Sequence, residues 1–246
     1  MIMRSSDLIV VFVFFAYSAK GESTEELAQK LNNAVAALIS VPFQNNFDFG
    51  GGYNDKAFRY QLNFQPVIPI SLGEDWNLIS RTILPFIQQH GYIPAVQKNG
   101  SFRSTSQTGL GDLLMQGTLA RWDHRRRGTR NSLSNRYARR VGVRKWGIGP
   151  TVVLLRQSHG WTYGILAYHI WSYAGDSERD DVSYTFLQPF LTYTTKTSTT
   201  FGVNTESTYD WENQQWNVPL NFFISQVVKI GDLPMSFQFG GRYYCA

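Results

Sequence analysis

The chain has 246 residues and a formal net charge of +5, and 15% of its residues are aromatic. Its mean hydropathy is nevertheless −0.26, so the chain as a whole is not apolar. Many aromatic residues in a mildly polar chain are typical of strands whose alternate side chains face apolar and polar surroundings. A helical membrane protein is excluded, because it needs runs of about 20 apolar residues and the sequence has one shorter apolar run, at its start.

The basic charge is confined to one segment. Residues 122–144 contain eight arginines and one aspartate, and without them 15 basic and 17 acidic residues remain, a net charge of about −2. The composition therefore does not predict a nucleic-acid partner. The one cysteine, Cys245, cannot form an internal disulfide and does not indicate a metal site.

Residues 8–16 form the apolar run, and Arg4 precedes it. Because Ala19 and Gly21 then provide a small-x-small cleavage site, we predict a signal peptide over residues 1–21. An N-terminal anchor helix is the alternative, although the run is short for a bilayer. A signal peptide predicts export, so the mature chain would be periplasmic, secreted or in an outer membrane.

After the signal peptide, residues 22–40 predict a short amphipathic helix. Leu27, Leu31, Val35 and Leu38 recur at helical spacing, and Ser23 or Thr24 could cap the helix. Such a helix could pack against a barrel mouth or fill a lumen.

From residue 41 onward the apolar period changes to two, which predicts a β domain over residues 41–246. Residues 58–70 are the clearest strand, because one face is apolar over more than ten residues while the opposite face carries the polar residues Arg59, Gln61, Asn63 and Gln65. That length favours a transmembrane β-strand over a sandwich strand of about five or six residues. Aromatic packing in a soluble barrel is the alternative, and prolines inside several predicted strands count against central strands.

Several short motifs resemble a known family. They are residues 38–47 (LISVPFQNNF), 65–70 (QPVIPI), 74–82 (EDWNLISRT), 109–112 (GLGD), 145–151 (KWGIGPT), 187–190 (LQPF) and 216–220 (WNVPL). Together they resemble the bacterial outer-membrane transporters related to the meta-pathway phenol-degradation proteins, some of which carry the misnomer neuromedin U.

The resemblance implies an all-β fold, an antiparallel transmembrane β-barrel of about twelve strands in the outer membrane of a Gram-negative bacterium. It also implies a porin-like transporter of small hydrophobic or aromatic compounds. The expected partners are the lipid bilayer, lipopolysaccharide, the outer-membrane assembly machinery and a small-molecule solute, but no nucleic acid. The resemblance supplies no catalytic residues and no cofactor.

Two features depart from this family. The arginine-rich residues 122–144 stand where the family has an apolar strand. We interpret them as a reading-frame slip in the gene; a disordered solvated loop and a basic patch that binds lipopolysaccharide or nucleic acid are the alternatives. The chain also stops at Ala246, where a closing strand is expected. An open barrel edge in lipid is costly, so we expect the chain as written to misfold.

An enzyme is not predicted. His90, His124, His159 and His169 do not stand at metal-ligand spacing, and Ser158 beside His159 would need an orienting partner to act as a nucleophile.

Two sets of charged residues are candidates for binding. Arg59 and Arg81, if opposed by acids such as Glu206, could set pore selectivity; structural salt bridges in the lumen are the alternative. An acidic cluster could bind Ca²⁺, although a solvated loop is favoured. Its members are Asp176, Glu178, Asp180 and Asp181.

The sequence therefore predicts a passive transporter of small molecules. A structural outer-membrane barrel without transport and a soluble periplasmic ligand-binding barrel are the alternatives.

Overall fold

A computed structural model describes most of the chain. The described residues are 6–17, 23–33, 36, 38–50, 56–73, 76–96, 102–111, 113–121, 132–142, 145–175, 181–231 and 233–245.

The described residues form one helix and sixteen strands. The helix is α1 (Thr24–Leu31). The strands are β1 (Ser6–Tyr17), β2 (Ile39–Phe49), β3 (Phe58–Phe64), β4 (Val67–Ser71), β5 (Trp76–Val96), β6 (Phe102–Leu110), β7 (Leu113–Arg121), β8 (Ser132–Gly142), β9 (Lys145–Ser158), β10 (Trp161–Gly175), β11 (Ser183–Thr194), β12 (Thr199–Thr205), β13 (Ser207–Asp210), β14 (Gln215–Asn217), β15 (Pro219–Ile230) and β16 (Leu233–Tyr244).

These strands form a closed antiparallel barrel. Four of them (β4, β7, β13 and β15) continue the preceding strand after a short break, so the sixteen described strands make twelve crossings of the barrel. We call each crossing a barrel strand. Each barrel strand pairs with the next in sequence, and β1 pairs with β16 to complete the ring. The predicted all-β barrel of about twelve strands is confirmed.

Alternation along the strands separates two surfaces. At many positions a residue that lines the interior is next to an exposed apolar residue on the opposite face. Asp48 and Gln238 line the interior, for example, and Asn221 is buried, whereas their neighbours Phe49, Phe239 and Phe222 are 48%, 53% and 55% exposed. The outer surface is therefore broadly apolar, and the inner surface carries the polar residues.

Two of the prolines that the sequence places inside strands, Pro66 and Pro219, lie at irregular points. Pro66 lies in the break between β3 and β4, where the amide of Gln65 instead donates to the carbonyl of Pro42. Pro219 is the first residue of β15. Both places tolerate the missing backbone donor, so these prolines are compatible with the barrel.

The ring closes through the segment that the sequence assigns to a signal peptide. β1 lies between β2 and β16 and is antiparallel to both. We expected the closing strand of the barrel to be missing. β1, at the start of the chain, occupies its place. The register sets Ile9, Val11 and Val13 beside inner-surface positions of β2 and β16, so this strand lacks the polar alternation of its neighbours.

The arginine-rich segment contributes a strand. β8 pairs with β9 over its whole length and with β7 over residues 136–141. Residues 122–131 and 143–144 lie outside the described residues.

Helix α1 is shorter than the predicted 22–40, because it ends at Leu31 and β2 already begins at Ile39. Ser23 caps it in a capping box with Glu26, as the capping pattern predicts. Leu27 and Ala28 are fully buried against Val227 of β15, so the helix lies inside one end of the barrel. No helix among the described residues is long and apolar enough to cross a membrane.

Candidate lumen site

Two cavities lie on the inner surface of the barrel. The smaller, about 260 Å³, is bounded on one side by α1 and the residues that follow it. The larger, about 390 Å³, lies farther from the helix and is lined by β3, β5, β10, β11 and β16 among others. Gln44, Gln65, Arg81 and Glu206 line both cavities. We call these four residues the collar.

The local structure explains how the collar residues reach the lumen. Gln44 and Arg81 occupy inward positions of the regular strands β2 and β5. Gln65 lies in the break between β3 and β4, and Glu206 lies in the break between β12 and β13. Interruptions of this kind re-aim side chains relative to a regular strand, and here they bring an amide and a carboxylate inward.

Hydrogen bonds connect one side of the collar. Gln65 Nε2 donates to Gln44 Oε1 at 2.7 Å, and the guanidinium of Arg81 donates to Gln65 Oε1. Arg81 also lines the larger cavity together with Glu206 and Tyr168. The collar is therefore one polar network that spans from β2 to β5 and faces the acid of the β12–β13 break.

Glu206 belongs to an ion pair. Arg242 Nη2 donates to Glu206 Oε2 at 2.9 Å, and Arg242 Nε donates to Asn221 Oδ1 at 2.8 Å. The side chain of Arg242 is only 12% exposed. Because the pair is partly shielded from water, its attraction is less screened than that of a surface pair.

A second ion pair lines the larger cavity near the connection between β2 and β3. Arg59 Nε donates to Asp48 Oδ2 at 2.9 Å. These residues are direct register partners in β3 and β2, so the pair follows from ordinary cross-strand geometry.

The structure brings the three predicted lumen residues together in part. Arg59, Arg81 and Glu206 all line the larger cavity. Glu206, however, pairs with Arg242, and Arg59 pairs with Asp48. The sequence reasoning missed Arg242 and Asp48, although both continue the inward polar alternation of their strands. That alternation was the signal that could have found them.

Arg81 differs from the other two arginines of the larger cavity. Its hydrogen bond goes to the neutral amide of Gln65, and its Nε atom is buried without a hydrogen-bond partner among the described residues. Gln116, its register partner in β7, likewise has a buried Oε1 atom without a partner. Unpartnered buried polar atoms are uncommon and mark a place where a ligand or water could bind.

Apolar side chains form another part of the lining of the larger cavity. Tyr168 and Phe186 stack with ring centroids 4.6 Å apart and an interplanar angle of 12°. Both pack against a buried cluster that includes Leu166 and Val153. The larger cavity therefore has an aromatic wall as well as a charged one.

Polar contacts near the C-terminal end of α1 fix the helix beside the smaller cavity. Asn33 Nδ2 donates to Gln157 Oε1 at 3.0 Å, and Gln157 Nε2 donates to the Gln29 carbonyl at 2.8 Å. Asn32 Nδ2 reaches Thr200 Oγ1 at 3.3 Å. These bonds hold α1 to the inner surface of β9 and β12.

The remaining candidate residues are described only in part. Among the described residues, no group of three or more His, Cys, Asp or Glu could hold a metal. Asp176, Glu178 and Asp180 lie outside the described residues, and Asp181 accepts a hydrogen bond from Ser172 at 3.2 Å. His159 contacts Ser158 at 2.8 Å in the exposed β9–β10 turn.

The closed ring, the apolar outer surface and the ion-paired lumen define the fold as a transmembrane β-barrel. No family model and no curated protein matches the chain. The structure is similar to a crystal structure of an outer membrane channel from Pseudomonas putida F1, with 11% sequence identity and a TM-score of 0.50. The match covers 99% of this chain and 96% of that chain. It shows a shared fold and does not support the relation to phenol-degradation proteins.

Proposed function

We propose that this protein is a passive channel for small solutes in the outer membrane of a Gram-negative bacterium. The observation that carries the proposal is the collar, a charged and hydrogen-bonded set of residues that lines both lumen cavities, inside a barrel of apolar outer surface. A barrel whose only role is structural does not need two lumen cavities that share a charged lining. The outer membrane channel of the same fold supports this proposal.

The cavity dimensions favour small molecules. Volumes of about 260 and 390 Å³ are comparable to small ligand pockets. A solute that crosses the lumen must pass helix α1 and the collar. We therefore propose selective passage of small, at least partly hydrophobic compounds rather than free diffusion of larger polar solutes.

The lengths of the connections suggest an orientation. Four of the strand-to-strand connections at the end that contains α1 are two to four residues long, such as residues 159–160 and 195–198, whereas residues 122–131 between β7 and β8 are a longer connection at this end. The other end has longer connections at residues 50–57 and 176–182, and a short one at residues 143–144. Since outer-membrane barrels have short periplasmic turns and longer outer loops, we place α1 at the periplasmic mouth and propose contacts of the outer loops with lipopolysaccharide.

We also propose export and insertion by the outer-membrane assembly machinery. Residues 1–21 have the pattern of a signal peptide, yet β1 lies within them. A closed barrel therefore requires either that residues 6–17 are retained or that another strand takes their place.

The test is conductance of the purified full chain, refolded in detergent and reconstituted in planar bilayers. A slower-migrating band on gels after heating first verifies a folded barrel. We expect discrete single-channel steps and uptake of small solutes by proteoliposomes. A folded barrel with neither would favour the structural alternative, and recovery in the soluble periplasmic fraction would favour the ligand-binding alternative.

A further inference from the structure

The larger cavity combines two chemically different walls. One wall carries ion-paired and amide side chains from β2, β3 and β16, and the other carries apolar side chains from β5, β7, β10 and β11. The apolar members are Ile83, Leu114, Leu166, Tyr168 and Phe186. A solute that satisfies both walls must itself be amphipathic.

Among the described residues, the charges that line this cavity are not balanced, because three residues are arginines and two are acidic. Arg59 and Arg242 each contact one of the two acids at 2.9 Å, so the positive charge in excess belongs to Arg81. A cation held in a partly dehydrated lumen attracts anions more strongly than one in bulk water.

The position of Arg81 joins the two walls. Its guanidinium belongs to the collar through Gln65, and Arg81 lines the same cavity as Tyr168 of the aromatic wall. An anionic group at Arg81 would therefore leave the rest of a small molecule beside the stacked rings of Tyr168 and Phe186. Three lining residues have a buried polar atom without a hydrogen-bond partner among the described residues: Asp48 Oδ1, Arg81 Nε and Gln116 Oε1. Of these atoms, Arg81 Nε is the donor and can bind an anion, whereas the two oxygens are acceptors.

We propose that the larger cavity is a binding site for a small organic anion, with a carboxylate at Arg81 and an aromatic or aliphatic body against Tyr168 and Phe186. This inference rests on the proposed channel and names the class of solute that it selects. The planar guanidinium suits a carboxylate, and the stacked rings supply apolar contact. Without the aromatic wall, the same charge would favour an inorganic anion equally.

Benzoate is the probe, with benzyl alcohol as the neutral analogue and acetate as the anion without a ring. Binding to the refolded full chain is measured by isothermal titration calorimetry in detergent. We expect benzoate to bind at least about tenfold more tightly than either analogue. Equal binding of benzoate and benzyl alcohol would overturn the role of Arg81, and equal binding of acetate would overturn that of the aromatic wall.

Variants assign the effect to the cavity. Arg81→Gln is expected to weaken benzoate binding at least about tenfold, and Arg81→Lys to weaken it less. Arg156→Gln is the matched control, because Arg156 is exposed on β9 and does not line the cavity. An unchanged affinity of folded Arg81→Gln would overturn the proposal.

A second variant keeps the proposal testable if Arg81→Gln does not fold. Glu206→Gln removes a competing carboxylate and leaves Arg81 in place, so it should bind benzoate more tightly than the unmodified chain. Weaker binding in this variant, with the folded gel band present, would contradict the proposal. Conductance of the same samples separates the two ideas: conductance without benzoate selectivity would overturn only this site, whereas benzoate binding without conductance would overturn only the channel.

Discussion

The carbonyl oxygen of His169 lies 1.6 Å from the position that a Cβ atom on Gly149 would take. Direct pairing of β9 and β10 stops at Thr151 with Tyr168 and resumes at Ile148 with Trp171. At Gly149 the two backbones therefore approach more closely than a side chain permits. Glycine is needed here because of this approach, and not because of its backbone conformation.

Gly149→Ala is expected to destabilise the barrel by about 3 kcal/mol or more, because the methyl group meets backbone that must shift. The measurement is the urea midpoint of the heat-modifiable band in lipid vesicles. Gly109→Ala is the control, since a Cβ at Gly109 has no atom within 4 Å. Equal urea midpoints for the two variants would show that the backbones of β9 and β10 can move apart at Gly149 to accept a methyl group.

Neutralising either member of the Glu206–Arg242 ion pair is expected to change the ion selectivity of the channel, and the two variants should change it in opposite directions. Glu206→Gln leaves additional positive charge in the lumen and should shift the reversal potential in a salt gradient toward anions. Arg242→Gln should shift it toward cations. Loss of the charged hydrogen bond is expected to cost about 1–3 kcal/mol of stability in either variant. Shifts of the same sign in both variants would contradict this arrangement.

Removal of residues 1–21 is expected to prevent closure of the ring. β2 and β16 are both antiparallel to β1, so without β1 their facing edges run in the same direction and cannot continue the antiparallel pairing. The full chain refolded with these residues should show the folded gel band, and residues 22–246 should not. This differs from the sequence expectation that the chain as written misfolds. A folded band for residues 22–246 would show that another strand fills the gap.

A pH-sensitive turn is expected between β13 and β14. Hydrogen bonds to the Asp210 carboxylate from the side chain and backbone of Asn213, and from the backbone of Glu212, lower the pKa of Asp210 below its ordinary 3.8. The stabilisation is therefore complete above the unfolded pKa of about 3.9. It is lost as the pH falls through the lower folded pKa.

The side-chain amide resonance of Asn213, followed by NMR, should thus change only below about pH 4. Asp210→Asn should remove the transition and increase hydrogen exchange at residues 212 and 213 at neutral pH. Glu212→Gln is the control, because the Glu212 side chain is exposed. A transition that persists in Asp210→Asn would assign it to another group.

Much of the barrel was predictable from local pattern. The alternation over residues 58–70 correctly predicted which side chains line the lumen, because the two-residue period of a strand fixes the faces wherever the strand continues. The amphipathic helix was predicted too long, since the apolar spacing of Val35 and Leu38 resembles a helix while the chain has already left it by Asn32. Local spacing cannot show where a helix ends without tertiary contacts.

The sequence by itself determined the class of fold, the polarity of the two barrel surfaces and the inward positions of Arg59 and Arg81. Only the tertiary structure decided that Arg59 pairs with Asp48 and that Glu206 pairs with Arg242 from the last strand. It also decided that Arg81 donates its hydrogen bond to the side-chain amide of Gln65. The physical reason is ring closure. Faces depend on neighbours in the chain, whereas partners across the lumen depend on the number of strands, their register and the breaks at Gln65 and Glu206, which no short stretch of sequence contains.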